Sequence, residues 1–413
     1  MVSVDIRSRT AHDVREVDAD AFFGDELPRL MVERADLALP GAAELGVRPF
    51  VVEVDGRGWT LALDRGDAAG SAGRLTVTPG RGGAVGSVRL DAEGLRDIVN
   101  DLRTPMAFLT GGDLEMTRGR FELLLDWWVV LRSLLDGRPV HTAGAVDFHE
   151  RDGSRLDLAR AFAPDDDAAA MAHFLAEAGF LHLAGVFDDA EMRAISEEMD
   201  AASSRYARGD GRSWWARTRG DDDRLVRMQY FHEESPSTAA LLADDRLLRI
   251  GRLTADGHRL GKPGPHPNLV EALVKPVGVV EGISDVPWHK DCGLGGHSYR
   301  CCSLTVGVSV TGADAESGQL RVVAGSHRAL IQPAFLRPSL DLPQLDLATR
   351  TGDVTVHLSC TLHMSQPPIA RERRVLYTDF GLPGGDPDPA EGKLRLIRDG
   401  APTTVSQRPA GVG

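Results

Sequence analysis

Thirteen histidines are scattered along the 413-residue chain, and one of them stands in a pattern suited to a divalent metal. His289-Lys290-Asp291 is the only H-x-D in the chain. On an extended segment, residues two apart face the same way. The imidazole and the carboxylate would then meet one ion while Lys290 points elsewhere. A neutral imidazole beside a monodentate carboxylate suits an octahedral ion with open positions, as at non-haem iron. The tripeptide alone says little, because about one such match is expected by chance in a chain this rich in Asp. His232-Glu233-Glu234 is an H-x-E of the same kind, but it precedes the β-rich region.

The company of His289 carries more information. Downstream lie GQLRVVAGSHR (318–328), GDVTVHLSCTLHMS (352–365) and RERRVLYTDF (371–380). The second of these offers His357 and His363 as a third ligand, His357 otherwise being a strand residue facing the core. Arg374 follows His363 by 11 residues on the next expected strand. A metal triad beside a fixed guanidinium makes a site for a ligand with a chelating end and a remote carboxylate, which the planar fork of Arg grips with two hydrogen bonds. Arg371 and Arg373 compete for this role, but strand neighbours face opposite ways, so Arg373 and Arg374 cannot both point inward. His327 follows a Gly-Ser turn and reads as an organiser of that loop.

These residues need strands to hold them. From about residue 271 short β-type runs dominate: EALVKPVGVVEG, RCCSLTVGVSVTG, GQLRVVAG, GDVTVHLS and RRVLYTDFG. Before them MAHFLAEAGFLHLAGVFDDAEMRAISEEMDAA reads as helix, strand, helix. Residues 205–231, with Trp214, Trp215, Arg217 and Tyr230, show no periodicity and read as a mobile lid or substrate wall. Nearer the start, PFVVEV, WTLALD, RLTVTP and VGSVRL are short strands separated by Gly-rich breaks. Asp91 then caps a helix, and FELLLDWWVVLRSLL forms a second, apolar one. A boundary near AFAPDDDAA (161–169) divides the chain into an α+β unit over 1–155 and a β-rich unit over 160–400.

The order WHKD, GQLRVVAGSHR, GD…LHMS, R, preceded by EAGFLHLAGVFDDAEMRAI, resembles the phytanoyl-CoA dioxygenase family of Fe(II)/2-oxoglutarate-dependent oxygenases over about residues 165–385. The resemblance implies a double-stranded β-helix, a cupin-like jelly roll. In it His289, Asp291 and His363 are the iron ligands and Arg374 binds the distal carboxylate of 2-oxoglutarate with help from Ser365. It also implies O2-driven decarboxylation of 2-oxoglutarate to succinate and CO2, coupled to attack on an unactivated C–H bond of a small, hydrophobic metabolite. The intact carboxylate of Asp291 favours oxygenation over halogenation. The chain departs from the family pattern at Lys290 (commonly Gln), Ala324 (commonly Pro) and Met364 (commonly Gly). The N-terminal part, RLTVTP through FELLLDWWVVLRSLLDG, resembles a sterol-carrier-protein type 2 domain. That likeness implies a lipid or terpenoid pocket, or a face for self-association into a homo-oligomer.

Composition bounds these readings. With 42% hydrophobic and 26% charged residues the chain is ordinary globular material. A net charge of −14 disfavours nucleic acid, whose binding draws on clustered Lys and Arg. The most apolar stretch, Phe121 to Leu135, is broken by Glu122, Asp126 and Arg132, so no membrane span is expected. Four cysteines without a C-x2-C pair disfavour a disulfide scaffold or a Cys-rich zinc site, and a reduced, cytoplasmic setting is the expectation. Two rivals differ in kind: a metal-dead β-helix joined to a lipid carrier, and a cupin-type enzyme using another metal without 2-oxoglutarate. An intact triad and a carboxylate-binding Arg speak against both.

Overall fold

The computed structural model describes residues 14–381 apart from 66–72, 112–113, 221, 256, 262–266, 283 and 295–302. Cys301, Cys302 and the chain beyond 381 lie outside the described residues. The segment 14–140 builds a five-stranded sheet in the order Arg74–Pro79, Arg57–Asp64, Phe50–Val54, Gly86–Leu90, Glu115–Arg118. Its central pair, Phe50–Val54 and Gly86–Leu90, runs parallel. The helix Phe121–Asp136 buries Leu124, Trp127, Val130 and Leu134, and Gly137 ends it in the left-handed conformation (φ 66°) that glycine adopts without strain. The helices Leu27–Glu33 and Ala35–Leu45, which the hydrophobic pattern did not announce, pack into the same core.

The second half is a pair of antiparallel sheets, a cupin-like jelly roll. The larger sheet runs Val279–Gly282, Ser213–Thr218, Asp223–Met228, Glu271–Lys275, Arg373–Gly381, Leu304–Ser309, Val354–Leu358, Phe180–Leu183. The smaller runs Gln344–Leu347, Leu320–Val323, His363–Ser365. Helix Asp189–Ala202 covers the outside of the larger sheet. It starts in a capping box between Asp188 and Glu191 and turns Met192, Ile195 and Met199 inward, where they share a core with Val306, Val356, Leu376 and Phe380. Gly352 is required where that helix approaches, since at φ 82° a Cβ would lie 1.9 Å from the Phe187 carbonyl oxygen.

The expectation of an irregular lid over 205–231 is corrected: Ser213–Thr218 and Asp223–Met228 form a hairpin that extends the larger sheet. A β-bulge between Trp214 and Trp215 shifts the register by one residue, and that break hid the two-residue period in the sequence.

The two halves touch through residues 328–341. Leu330 sits in the N-terminal core, Arg337 donates to the Leu45 carbonyl (3.2 Å), and the buried Asp126 carboxylate receives both Arg337 and Gln332. That segment also reaches inward. Pro333 O accepts from Lys290 N (2.8 Å), and Ala334 forms a β-bridge with His289.

Candidate metal centre

His289 and His363 face each other across an antiparallel bridge and exchange both backbone hydrogen bonds, each 2.9 Å. Residues paired in this way present their side chains to one side, and the imidazole centroids lie 4.2 Å apart. Each ring is oriented from behind. His289 Nδ1–H donates to the Pro287 carbonyl (2.7 Å) and His363 Nδ1–H to the Thr361 carbonyl (2.9 Å). Carbonyl partners fix the proton on Nδ1 and leave the Nε2 lone pairs free, the usual support of a metal-ligating histidine.

Asp291 completes the group from the first residue of a short helical turn, Asp291–Leu294. The extended H-x-D segment expected from sequence therefore holds only as far as His289. Asp291 Oδ1 lies 3.3 Å from His289 Nε2 and 3.6 Å from His363 Nε2, and one donor atom from each residue lies within 4.8 Å of the others. Burial raises the Asp291 carboxyl, but its interactions with His363, His289 and His357 outweigh that and hold the group well below the usual carboxylate range. Burial, reinforced by His357 and His289, pushes His363 well below the ordinary imidazole value. Two imidazole nitrogens and one carboxylate oxygen thus converge on one point. That donor set fits a divalent cation of intermediate hardness such as Fe(II).

Arg374 is not with them. Its guanidinium leaves the opposite side of Arg373–Gly381 and binds the outer helix: Nη1 meets the Ser196 carbonyl and Oγ at 3.0 Å, and Nη2 meets Asp200 at 2.8 Å. Strand alternation is the physical reason. Arg374 shares its face with Leu376 and Phe380, which pack against the helices, so the inward guanidinium is that of Arg373. Those two apolar residues were the signal in the sequence that could have chosen between the arginines.

Lys275 was missed altogether. It stands opposite Arg373 in register and is 2% exposed, and its Nζ donates to Ser365 Oγ. Ser365 lies two residues beyond His363 on the same short strand, hence on the same face. Arg373 donates to the Gly318 carbonyl and to Tyr377 Oη (3.1 Å). Among the described residues neither cation has a carboxylate within ion-pair distance. Burial and then the Arg373 charge drive the Lys275 ammonium well below its ordinary value.

The four residues expected on a substrate wall separate. Trp214 pairs with Arg227, which pairs with Leu273 on the Lys275 face; the Arg227 guanidinium lies 4.5 Å over the indole, whose buried N–H has no partner among the described residues. Trp215 donates to Ser213 Oγ (2.9 Å) on the other side of the hairpin. Arg217 is half-exposed between Asp223 and Glu281, and Tyr230 marks the turn after the hairpin with φ 56°. His327 donates to the Ala176 carbonyl (2.8 Å), and burial pushes its imidazole down to about 4.

Residues 175–375 match the model of the phytanoyl-CoA dioxygenase family. Among solved structures, AviO1 from Streptomyces viridochromogenes is 22% identical over 54% of this chain and 98% of its own, with a TM-score of 0.40. The epimerase SnoN, in complex with Fe3+, alpha-ketoglutarate and nogalamycin RO, is 20% identical over 58% of this chain and 96% of its own (TM-score 0.41). EctD from S. alaskensis with bound Fe is 19% identical over 52% of this chain and 78% of its own (TM-score 0.43). No curated protein matches the chain.

Proposed function

Residues 175–375 belong to the phytanoyl-CoA dioxygenase family, and from that premise we propose that the chain is an Fe(II)- and 2-oxoglutarate-dependent oxygenase that oxidises an unactivated C–H bond of a small, largely hydrophobic metabolite. One observation carries the reading. The two imidazoles and the carboxylate converge on the same face as a buried Lys275–Arg373 pair with no carboxylate within ion-pair distance among the described residues. Buried charges left unpaired cost several kcal/mol, so this pair is built for an anion that arrives with a ligand. A 2-oxo acid with a second carboxylate meets both ends.

In this reading His289, Asp291 and His363 hold the metal. Lys275, Arg373 and Ser365 orient the distal carboxylate, taking the part the sequence assigned to Arg374. Bound iron, 2-oxoglutarate and O2 together supply the oxidising chemistry, with succinate and CO2 as co-products. The protein contributes position and dryness. Trp214 and Arg227 lie on the same sheet face beyond Lys275 and are proposed as the substrate side, where the free indole N–H suits a substrate oxygen. Trp215, Arg217 and Tyr230 are not part of that proposal.

The N-terminal segment, about residues 1–155, is proposed as a non-catalytic accessory unit of sterol-carrier type. Its five-stranded sheet followed by the apolar helix Phe121–Asp136 supports this reading. No helix among the described residues is long and apolar enough to cross a membrane.

The test is O2-dependent release of succinate from 2-oxoglutarate by the Fe(II)-loaded protein. Release is expected from wild type and lost in His363→Ala. Wild type that turns over no 2-oxoglutarate with any of a panel of small hydrophobic substrates would count against the reading.

A further inference from the structure

Only one oxygen of Asp291, Oδ1, faces the Nε2 atoms of His289 and His363. The other, Oδ2, is claimed from behind by two donors: the Thr305 hydroxyl at 2.8 Å and His357 Nε2–H at 3.2 Å. The two donors form a cross-strand pair. Thr305 on Leu304–Ser309 stands in register with His357 on Val354–Leu358, so both side chains project to the same face beneath Asp291. His357 is 1% exposed, and its ring centroid lies 4.1 Å from that of His363. Its Nδ1 is buried and has no hydrogen-bond partner among the described residues. The group facing Nε2 is a carboxylate oxygen, which can only accept, so Nε2 carries a proton aimed at it. The Thr305 hydroxyl also lies 3.0 Å from Asp379 Oδ1, its partner on the other neighbouring strand. A row His357–Thr305–Asp379 thus crosses three strands under the one carboxylate of the centre.

We propose that the Thr305–His357 pair sets how Asp291 binds the metal: by occupying Oδ2 it limits the carboxylate to one coordinating oxygen. The inference rests on the reading of His289, Asp291 and His363 as metal ligands and goes beyond it. A carboxylate released from these donors would turn both oxygens to the ion and take an extra coordination position. A ligand that chelates through its 2-oxo acid end needs two adjacent positions, and O2 needs a further one. His357 and Thr305 are therefore positioning residues. They touch neither metal nor substrate, and they keep open the places where the cosubstrates bind. His357, weighed as a rival third ligand on sequence grounds, gains a different role: its Nε2 is committed to Asp291.

The experiment uses the full chain loaded with Co(II), whose visible bands report coordination number, with 2-oxoglutarate then titrated in. Wild type should bind Co(II), and its spectrum should shift on addition of 2-oxoglutarate. His357→Phe and the isosteric Thr305→Val should retain Co(II) but show a changed spectrum before the cosubstrate is added. Their 2-oxoglutarate affinity should fall about tenfold or more, the usual scale for loss of an outer partner of a metal ligand. His357→Gln, which keeps an N–H donor of similar reach, should recover most of that loss. If both donor-deleted variants show the wild-type spectrum and wild-type 2-oxoglutarate affinity, the proposal is overturned. A wild-type protein that binds no Co(II) overturns instead the metal-ligand reading beneath it. Should His357→Phe not fold, Thr305→Val decides the matter alone.

Discussion

Lys275 and Arg373 stand directly opposite each other on adjacent antiparallel strands, two buried cations side by side with no carboxylate within ion-pair distance among the described residues. Isolated charges in such a place cost stability, and most proteins avoid them. The arrangement is accounted for if an anionic ligand completes it.

The first consequence concerns the cosubstrate. Replacing Lys275 or Arg373 by Met should weaken 2-oxoglutarate binding to the metal-loaded protein by about 10–100-fold, the scale of one charged hydrogen bond. Arg374→Met should leave binding nearly unchanged, because that guanidinium binds Ser196 and Asp200 on the outer helix. Isothermal titration separates the cases. A larger loss at Arg374 than at Arg373 would return the carboxylate to the position that spacing suggested.

The second concerns pH. The folded protein holds the Lys275 proton more weakly than the unfolded chain does, since burial and Arg373 depress its pKa. Between the depressed folded value and the unfolded value of about 10.4 the unfolded state binds more protons, so ligand-free stability rises with pH. Lys275→Met removes this term. The variant should melt higher than wild type at about pH 7, and the gap should narrow toward about pH 9. Parallel melting curves for the two proteins across this range would contradict the assignment of an unpaired buried ammonium.

A third prediction tests the coupling between the two halves. Asp126 is buried and holds Arg337 and Gln332, and the adjoining Pro333 and Ala334 pair with Lys290 and His289. Asp126→Ala removes the anion that holds the part-exposed Arg337 and the buried Gln332, and should cost about 1–3 kcal/mol. It should also weaken metal binding, measured on the folded variant below its melting point, because the segment that braces His289 loses its anchor. Unchanged Co(II) affinity would mean that residues 328–341 hold their place without the N-terminal half.

Gly352→Ala supplies a local check on the jelly roll. Its φ of 82° and the Phe187 carbonyl 1.9 Å from an added Cβ leave backbone as the only thing that can yield. Strain of about 1–3 kcal/mol from the dihedral alone, with the clash added, should appear in urea melts as a sharply reduced midpoint.

Much of the centre was legible in the sequence because its residues lie in compact motifs. His289, Asp291 and His363 come from two short segments, and the glycines and histidines around them mark strand ends. What escaped depends on pairing between distant strands. Lys275 lies in EALVKP, a run with no motif; its partner Arg373 is 98 residues away by number, and only the register of the two strands unites them. The choice between Arg373 and Arg374 turned on which face packs against Asp189–Ala202, a tertiary fact visible only indirectly in Leu376 and Phe380. Thr305 and His357 likewise meet Asp291 through ladder register rather than spacing. In the hairpin Ser213–Met228 a single bulge erased the alternation that would have announced strands.

The central claim, a 2-oxo acid chelated to iron at His289, Asp291 and His363, is tested most directly by visible absorption under anaerobic conditions. Fe(II) and 2-oxoglutarate added to wild type should produce the weak charge-transfer band of the chelate. The band should be absent in His289→Ala and should need more 2-oxoglutarate in Arg373→Met. No band in wild type, or an undiminished band in His289→Ala, would contradict the account.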